Sequence, residues 1–247
     1  MLAKRESSTL ISPPPTCWWC SSVLADSREH AIKATDLRLR YGATKWAPGT
    51  APVLVSASSP SRTIQGPKSD LVKFPPSLCH ACNTSRSQEY DRAYEVLSGF
   101  LHRNHVDICR SRSLRFDKVY GTTWSASMMN MLGYCMKNFG CAMTDAGAQP
   151  QSDFVSLIGQ KDARPFCITV SINTTVLNQL NSQTLSPLSL TFPPEGGIAG
   201  VMLIGMFEIR MWWKLRPYAN ECGTVISRPV KKAILRERAW GADVLCH

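Results

Sequence analysis

Between Glu89 and Leu101 the apolar residues Tyr90, Ala93, Tyr94, Leu97, Phe100 and Leu101 recur every three to four positions, with Glu89, Asp91, Arg92 and Glu95 falling elsewhere. That period predicts a helix with one buried face. Trp124, Met128, Met131, Leu132, Cys135 and Phe139 repeat the pattern and predict a second helix, stopped at Gly140. Its methionines read as core filler. Beyond Pro150 the period shortens. Phe166–Val170 and Leu185–Phe192 read as strands, and Phe207, Ile209, Met211, Trp213 and Leu215 alternate with Glu208, Arg210, Trp212, Lys214 and Arg216. This alternation predicts a half-buried strand with a basic outer face. Ser227 ahead of Pro229 offers an N-cap and a first-turn proline for a last helix ending near Gly241.

Two stretches lack such periods. Residues 1–15 are polar and close on Pro13-Pro14-Pro15, which reads as a loose tail. Residues 42–67 are rich in Gly, Ala, Pro, Ser and Thr around one apolar patch, Val53-Leu54-Val55, and read as an inserted hairpin arm with a mobile tip. The expected layout is a tail at 1–15, a first domain at 16–105 carrying the insertion at 42–67, and a second domain at 106–247.

At 247 residues with 44% hydrophobic and 19% charged residues, the chain has the composition of a folded globular protein. Its longest apolar run, Ile198–Phe207, is ten residues, too short to span a bilayer. No secretory signal precedes the fold, so a cytoplasmic chain with reduced thiols is expected and no membrane partner. The net charge is +10, and residues 1–120 carry 17 Lys and Arg against 10 Asp and Glu. A basic half suits a polyanion, DNA first and RNA second, or else ordinary solubility. Arg110, Arg112, Arg115 and Lys118 form a basic cluster expected in a loop, read as solvated surface or as a phosphate contact zone.

Ten cysteines are present, and four fall into two Cys-x-x-Cys pairs, Cys17/Cys20 and Cys79/Cys82. In a reducing compartment such pairs predict one tetrahedral zinc held by four thiolates. Glu29-His30 lies between the pairs and Asn83 directly follows the second, at or just before the first turn of the first helix. An acid, an imidazole and an amide gathered beside a zinc knuckle can bind a divalent ion and deprotonate a water.

The order Cys17-x-x-Cys20, Glu29-His30, Cys79-x-x-Cys82-Asn83 resembles the His-Me finger (HNH) nucleases, most closely the zinc-bearing branch typified by recombination endonuclease VII. The resemblance covers residues 16–105 and implies an α+β fold: a zinc-stabilised ββα-metal, treble-clef-like finger, followed by helices and a small antiparallel sheet. It implies that Cys17, Cys20, Cys79 and Cys82 hold a structural zinc. It further implies that His30 is the general base, and that Glu29 and Asn83 hold a catalytic Mg²⁺ or Mn²⁺ against the scissile phosphate of DNA. Arg28 and Arg86, with Arg110 and Arg112, are the candidate nucleic-acid contacts. The function expected on this basis is metal-dependent endonuclease. A non-catalytic zinc-finger nucleic-acid-binding module of the same fold is the alternative, and a zinc-stabilised assembly protein is a third.

Overall fold

In a computed structural model the described residues are 16–42, 46, 51–56, 59–179, 184–194, 196–215 and 223–238. Among the described residues the fold is mixed α+β, with two two-stranded sheets and one of five strands. The segment carrying the first cysteine pair leads into α1 (Ala34–Tyr41) and a hairpin of β1 (Val53–Ser56) and β2 (Ser59–Thr63). The helices α2 (His80–Asn83), α3 (Gln88–Arg103) and α4 (His105–Ser111) follow. Next come β3 (Ser113–Arg115), α5 (Phe116–Tyr120), α6 (Trp124–Asp145) and α7 (Ser152–Leu157). The last part holds β4 (Phe166–Asn173), α8 (Thr174–Gln179), β5 (Leu185–Thr191), β6 (Ile198–Ile204), β7 (Phe207–Trp213), β8 (Lys232–Ile234) and β9 (Glu237–Arg238). No helix among the described residues is long and apolar enough to cross a membrane.

Helix α6 is the hub. Every residue from Met131 to Met143 is buried, as happens when a helix is packed on all sides rather than along one stripe. It does not stop at Gly140. There the missing side chain lets the Trp18 ring lie against the helix, so that a Cβ at this position would meet the ring at 2.5 Å. Gly133 receives the Tyr90 ring of α3 in the same way, at 3.0 Å. Toward the large sheet, Phe139 meets Phe166 edge-on and abuts Gly200. Glycine here is a docking notch and not a helix terminator, a distinction that the period along the chain does not carry.

The large sheet has the order β5-β6-β7-β4-β9, antiparallel except for the parallel pair β4-β9. Phe166 pairs with Trp213 and Ile172 with Phe207, so the odd positions of β7 face the core with the even positions of β4 and β6. The outer face of β7 is not the solvated basic face expected. Glu208 and Trp212 are buried as well, and the Glu208 carboxylate accepts from Asn173 Nδ2 at 2.9 Å and pairs with Arg210. A central strand with both faces covered obscures the alternation rule.

Three further expectations are corrected. The last helix is absent from 223–238. Ala233 and Leu235 are buried while Lys232 and Ile234 are exposed, a two-residue period that pairs β8 with β3. The basic cluster is not one loop, because Arg110 lies in α4, Arg112 caps it with a positive φ of 47°, Arg115 ends β3 and Lys118 lies in α5. The expected boundary at 105/106 runs through packed structure, for buried side chains from Cys17 to Leu235 form one contiguous core. The hairpin expected at 42–67 is present, with Leu54 packed on a satellite cluster of Ile32, Leu37, Ile64 and Val72. The tail at 1–15, the hairpin tip at 57–58, Arg216 and Gly241 lie outside the described residues.

The Trp18 notch supplies a test. Gly140→Ala gains helix propensity yet overpacks the ring, and the expected net loss is about 1–3 kcal/mol in chemical denaturation.

Candidate metal centre

The knuckle at Cys17–Cys20 is closed by its own backbone. Cys17 N–H donates to the Val23 carbonyl at 2.9 Å, and Ser21 N–H to the Cys17 carbonyl at 2.8 Å, with Ser21 at φ 56°. The second pair straddles the start of α2, where Cys79 is the N-cap and its Sγ accepts from Cys82 N–H at 3.4 Å. Short antiparallel contacts join the two halves, Ser27 N–H to the Leu78 carbonyl at 2.9 Å and Phe74 N–H to the Glu29 carbonyl at 2.9 Å. Trp18 N–H donates to the Ser77 carbonyl at 3.1 Å and fixes the first knuckle against the second.

These contacts bring four sulfurs together. The Sγ atoms of Cys17, Cys20, Cys79 and Cys82 all lie within 4.8 Å of one another, and Cys20 and Cys79 are 3.9 Å apart. Zinc–sulfur bonds of about 2.3 Å in a tetrahedron put sulfurs about 3.8 Å apart, so the spacing fits the ion. The protonation chemistry fits too. Burial pushes the Cys17 and Cys82 thiols up, whereas hydrogen bonding from Ser22 pulls Cys20 down to about 6. Deprotonating such buried thiols needs a cation, and a zinc ion at the centre of this quartet would supply it. His80 is exposed and outside the quartet, its backbone N–H donating to Asp26 Oδ1 at 2.8 Å.

The acid–imidazole–amide group is arranged differently from expectation. Glu29 is buried, and its carboxylate is clasped by two ammonium groups, Lys137 Nζ at 2.6 Å and Lys33 Nζ at 3.1 Å. The same two lysines bind Asp91, each at 2.7 Å. Two carboxylates and two ammonium groups thus form a neutral quartet, with Ser87 Oγ 3.2 Å from Lys137 Nζ and the Tyr134 ring 5.3 Å from Lys33. Burial works to raise the Glu29 pKa, but the attraction of Lys137 and Lys33 outweighs it and holds the carboxyl at about 2. Burial likewise opposes the charge on Lys33, and Glu29 and Asp91 reverse the balance, raising its pKa. Where the resemblance implies Glu29 as ligand of a catalytic Mg²⁺ or Mn²⁺, the structure places its oxygens on the two lysines and on its own neighbour, His30 N–H, at 2.9 Å.

His30 and Asn83 each keep one unpartnered atom. His30 Nε2 and Asn83 Oδ1 are buried without a hydrogen-bond partner, and burial lowers the His30 pKa. The His30 carbonyl accepts from Asn138 Nδ2 at 3.1 Å, and Asn83 Nδ2 donates to Ser27 Oγ at 2.8 Å. Asn83 lies in the separate turn α2 rather than in the long helix. Of the candidate phosphate contacts, Arg28 pairs with Asp70 at 2.8 Å and Arg112 with Glu237 at 2.8 Å. Arg110 is exposed on α4, and Arg86 lies over the Trp19 ring at 4.6 Å.

Sequence reasoning missed Lys33, Asp91 and Lys137. The first two leave no trace in pattern. Lys137-Asn138 does, because it interrupts a helix whose residues from Met128 to Met143 are otherwise apolar or small on nearly every face, and a charge there must be buried and paired. No protein-family model, curated protein or solved structure matches the chain.

Two outcomes follow from this geometry. Purified reduced protein carries about one zinc per chain by elemental analysis, and Cys82→Ser abolishes it while the helical circular dichroism of α3 and α6 persists. Glu29→Gln leaves the buried lysines overcharged and lowers stability by about 3–5 kcal/mol. With the carboxyl held at about 2 against an ordinary 4.5, the pairing contributes fully above pH 4.5 and is lost as pH falls through about 2. Unfolding measured from pH 2 to 6 therefore has an acid limb in the wild type that is weaker in Glu29→Gln.

Proposed function

We propose that this chain is a zinc-stabilised nucleic-acid-binding module that does not cleave its ligand. The observation that carries this reading is the clasp on Glu29. A phosphodiester repels hydroxide, and its hydrolysis by this class of site depends on a divalent ion held by hard oxygen donors. Here the one carboxylate beside His30 is buried and already neutralised by Lys33 and Lys137. His30 Nε2, the atom that would take a proton from water, is buried without a hydrogen-bond partner.

Kinship with the His-Me finger scaffold is supported by the order of parts. Antiparallel stretches at 27–32 and 72–78 flank the insertion, and the α2 turn with Asn83 and then α3 follow them. Binding of a polyanion is supported by the net charge of +10. In this reading zinc builds the finger, and Mg²⁺ or Mn²⁺ has no assigned place. The nuclease reading would require Lys33 and Lys137 to release Glu29 when substrate binds.

The test is a plasmid assay beside a binding assay. Zinc-loaded protein is expected to leave supercoiled plasmid intact in both Mg²⁺ and Mn²⁺. It is also expected to bind nucleic acid with log K falling linearly against log salt, as counterion release demands. Nicking that disappears in His30→Ala, with binding and zinc content retained, would restore the nuclease.

A further inference from the structure

The cysteine quartet opens onto a depression lined by Cys20, Cys79 and Cys82 of the quartet and by Val23, Ser85 and Arg86 around them. One wall is unusual. The Arg86 guanidinium rests 4.6 Å from the Trp19 ring centre, Trp19 stacks on Tyr90 at 6.0 Å, and Trp18 stacks on Trp19 at 6.0 Å. Trp18 and Trp19 are buried in the core, Tyr90 packs partly buried against it, and Arg86 is exposed to solvent beside them. Arg28, Arg112 and Arg115 are each tied to a carboxylate. Arg86 has no carboxylate partner among the described residues, and its guanidinium carbon lies over the Trp19 ring.

We propose that this depression binds an unpaired nucleobase, stacked on the outer face of the Arg86 guanidinium, so that the module prefers single-stranded nucleic acid. This rests on the nucleic-acid-binding reading above and specifies its ligand form. A guanidinium fixed on an aromatic ring presents a planar cation, and bases stack on such planes as they do on aromatic side chains. The rest of the depression suits a base better than a phosphate. Val23, 49% exposed, and Ala81 provide apolar contact, and the exposed Ser85 hydroxyl provides a hydrogen bond. Four thiolates around one zinc carry a net negative charge, which disfavours a phosphate in the depression and not a neutral base. A duplex, its bases paired and stacked inward, cannot enter.

The experiment compares fluorescein-labelled 20-mers by anisotropy at fixed low salt with zinc-loaded full-length protein. The ligands are a single strand, the same strand carrying abasic sites, and the duplex. The single strand is expected to bind at least ~10-fold more tightly than either of the others. Arg86→Ala is expected to remove about 10-fold of single-strand affinity, and Arg86→Lys not to restore it, because Lys keeps the charge and loses the plane. Equal affinity for duplex or abasic strand overturns the inference with no variant needed. Full rescue by Arg86→Lys overturns it too, as that is the behaviour of a simple phosphate contact. Loss of zinc from Arg86→Ala, with single-strand preference absent in the wild type, would make Arg86 a counter-charge for the thiolates and overturn the site. If none of the three ligands binds, the nucleic-acid reading itself fails, a result distinct from binding without preference.

Discussion

The ion quartet of Glu29, Lys33, Asp91 and Lys137 is the constraint on which the arrangement depends. Charges this deep are tolerable only as a neutral set with short contacts, because removing any one leaves another without water or a partner. The set joins three segments distant in sequence. Glu29 and Lys33 come from the strip after the first knuckle, Asp91 from the first turn of α3, and Lys137 from the middle of α6. Fixing those four side chains fixes how the finger sits on α6. It also decides the chemistry, since the acid beside the histidine is committed to structure.

The cysteine cluster and apolar packing divide the remaining work. Small metal-binding segments usually rely on the ion in place of a core. Here Trp18, Trp19 and Leu78 bury themselves in the same core as α3 and α6, so the quartet of cysteines orders the two knuckles while the larger core orders the helices around them. The notches at Gly133 and Gly140 are what allow so close an approach. The sheet closes the other side of α6 through Phe139, Phe154 and Phe166.

Much of this was legible along the chain. The periods at Tyr90–Leu101 and Trp124–Phe139 mark α3 and α6, and the paired Cys-x-x-Cys spacing marks the sulfur cluster, since both depend on short-range geometry that sequence spacing encodes directly. Errors fell where tertiary contact decides. Gly140 reads as a stop until Trp18 is seen to need the gap. Glu208 and Trp212 read as surface until the strand is seen at the centre of its sheet. Nor does the sequence around Glu29 show that Lys137, more than a hundred residues away, lies against it. Nothing local distinguishes a carboxylate that faces a cation from one that faces a lysine.

The central claim is that the lysine clasp occupies the place of a catalytic ion. It is tested most directly by titrating Mn²⁺ into zinc-loaded protein and following free Mn²⁺ by its electron paramagnetic resonance signal. The account predicts that no stoichiometric Mn²⁺ is taken up, by wild type or by Glu29→Gln. Uptake of one Mn²⁺ per chain by the wild type, lost in Glu29→Gln and weakened in Asn83→Ala, would contradict it.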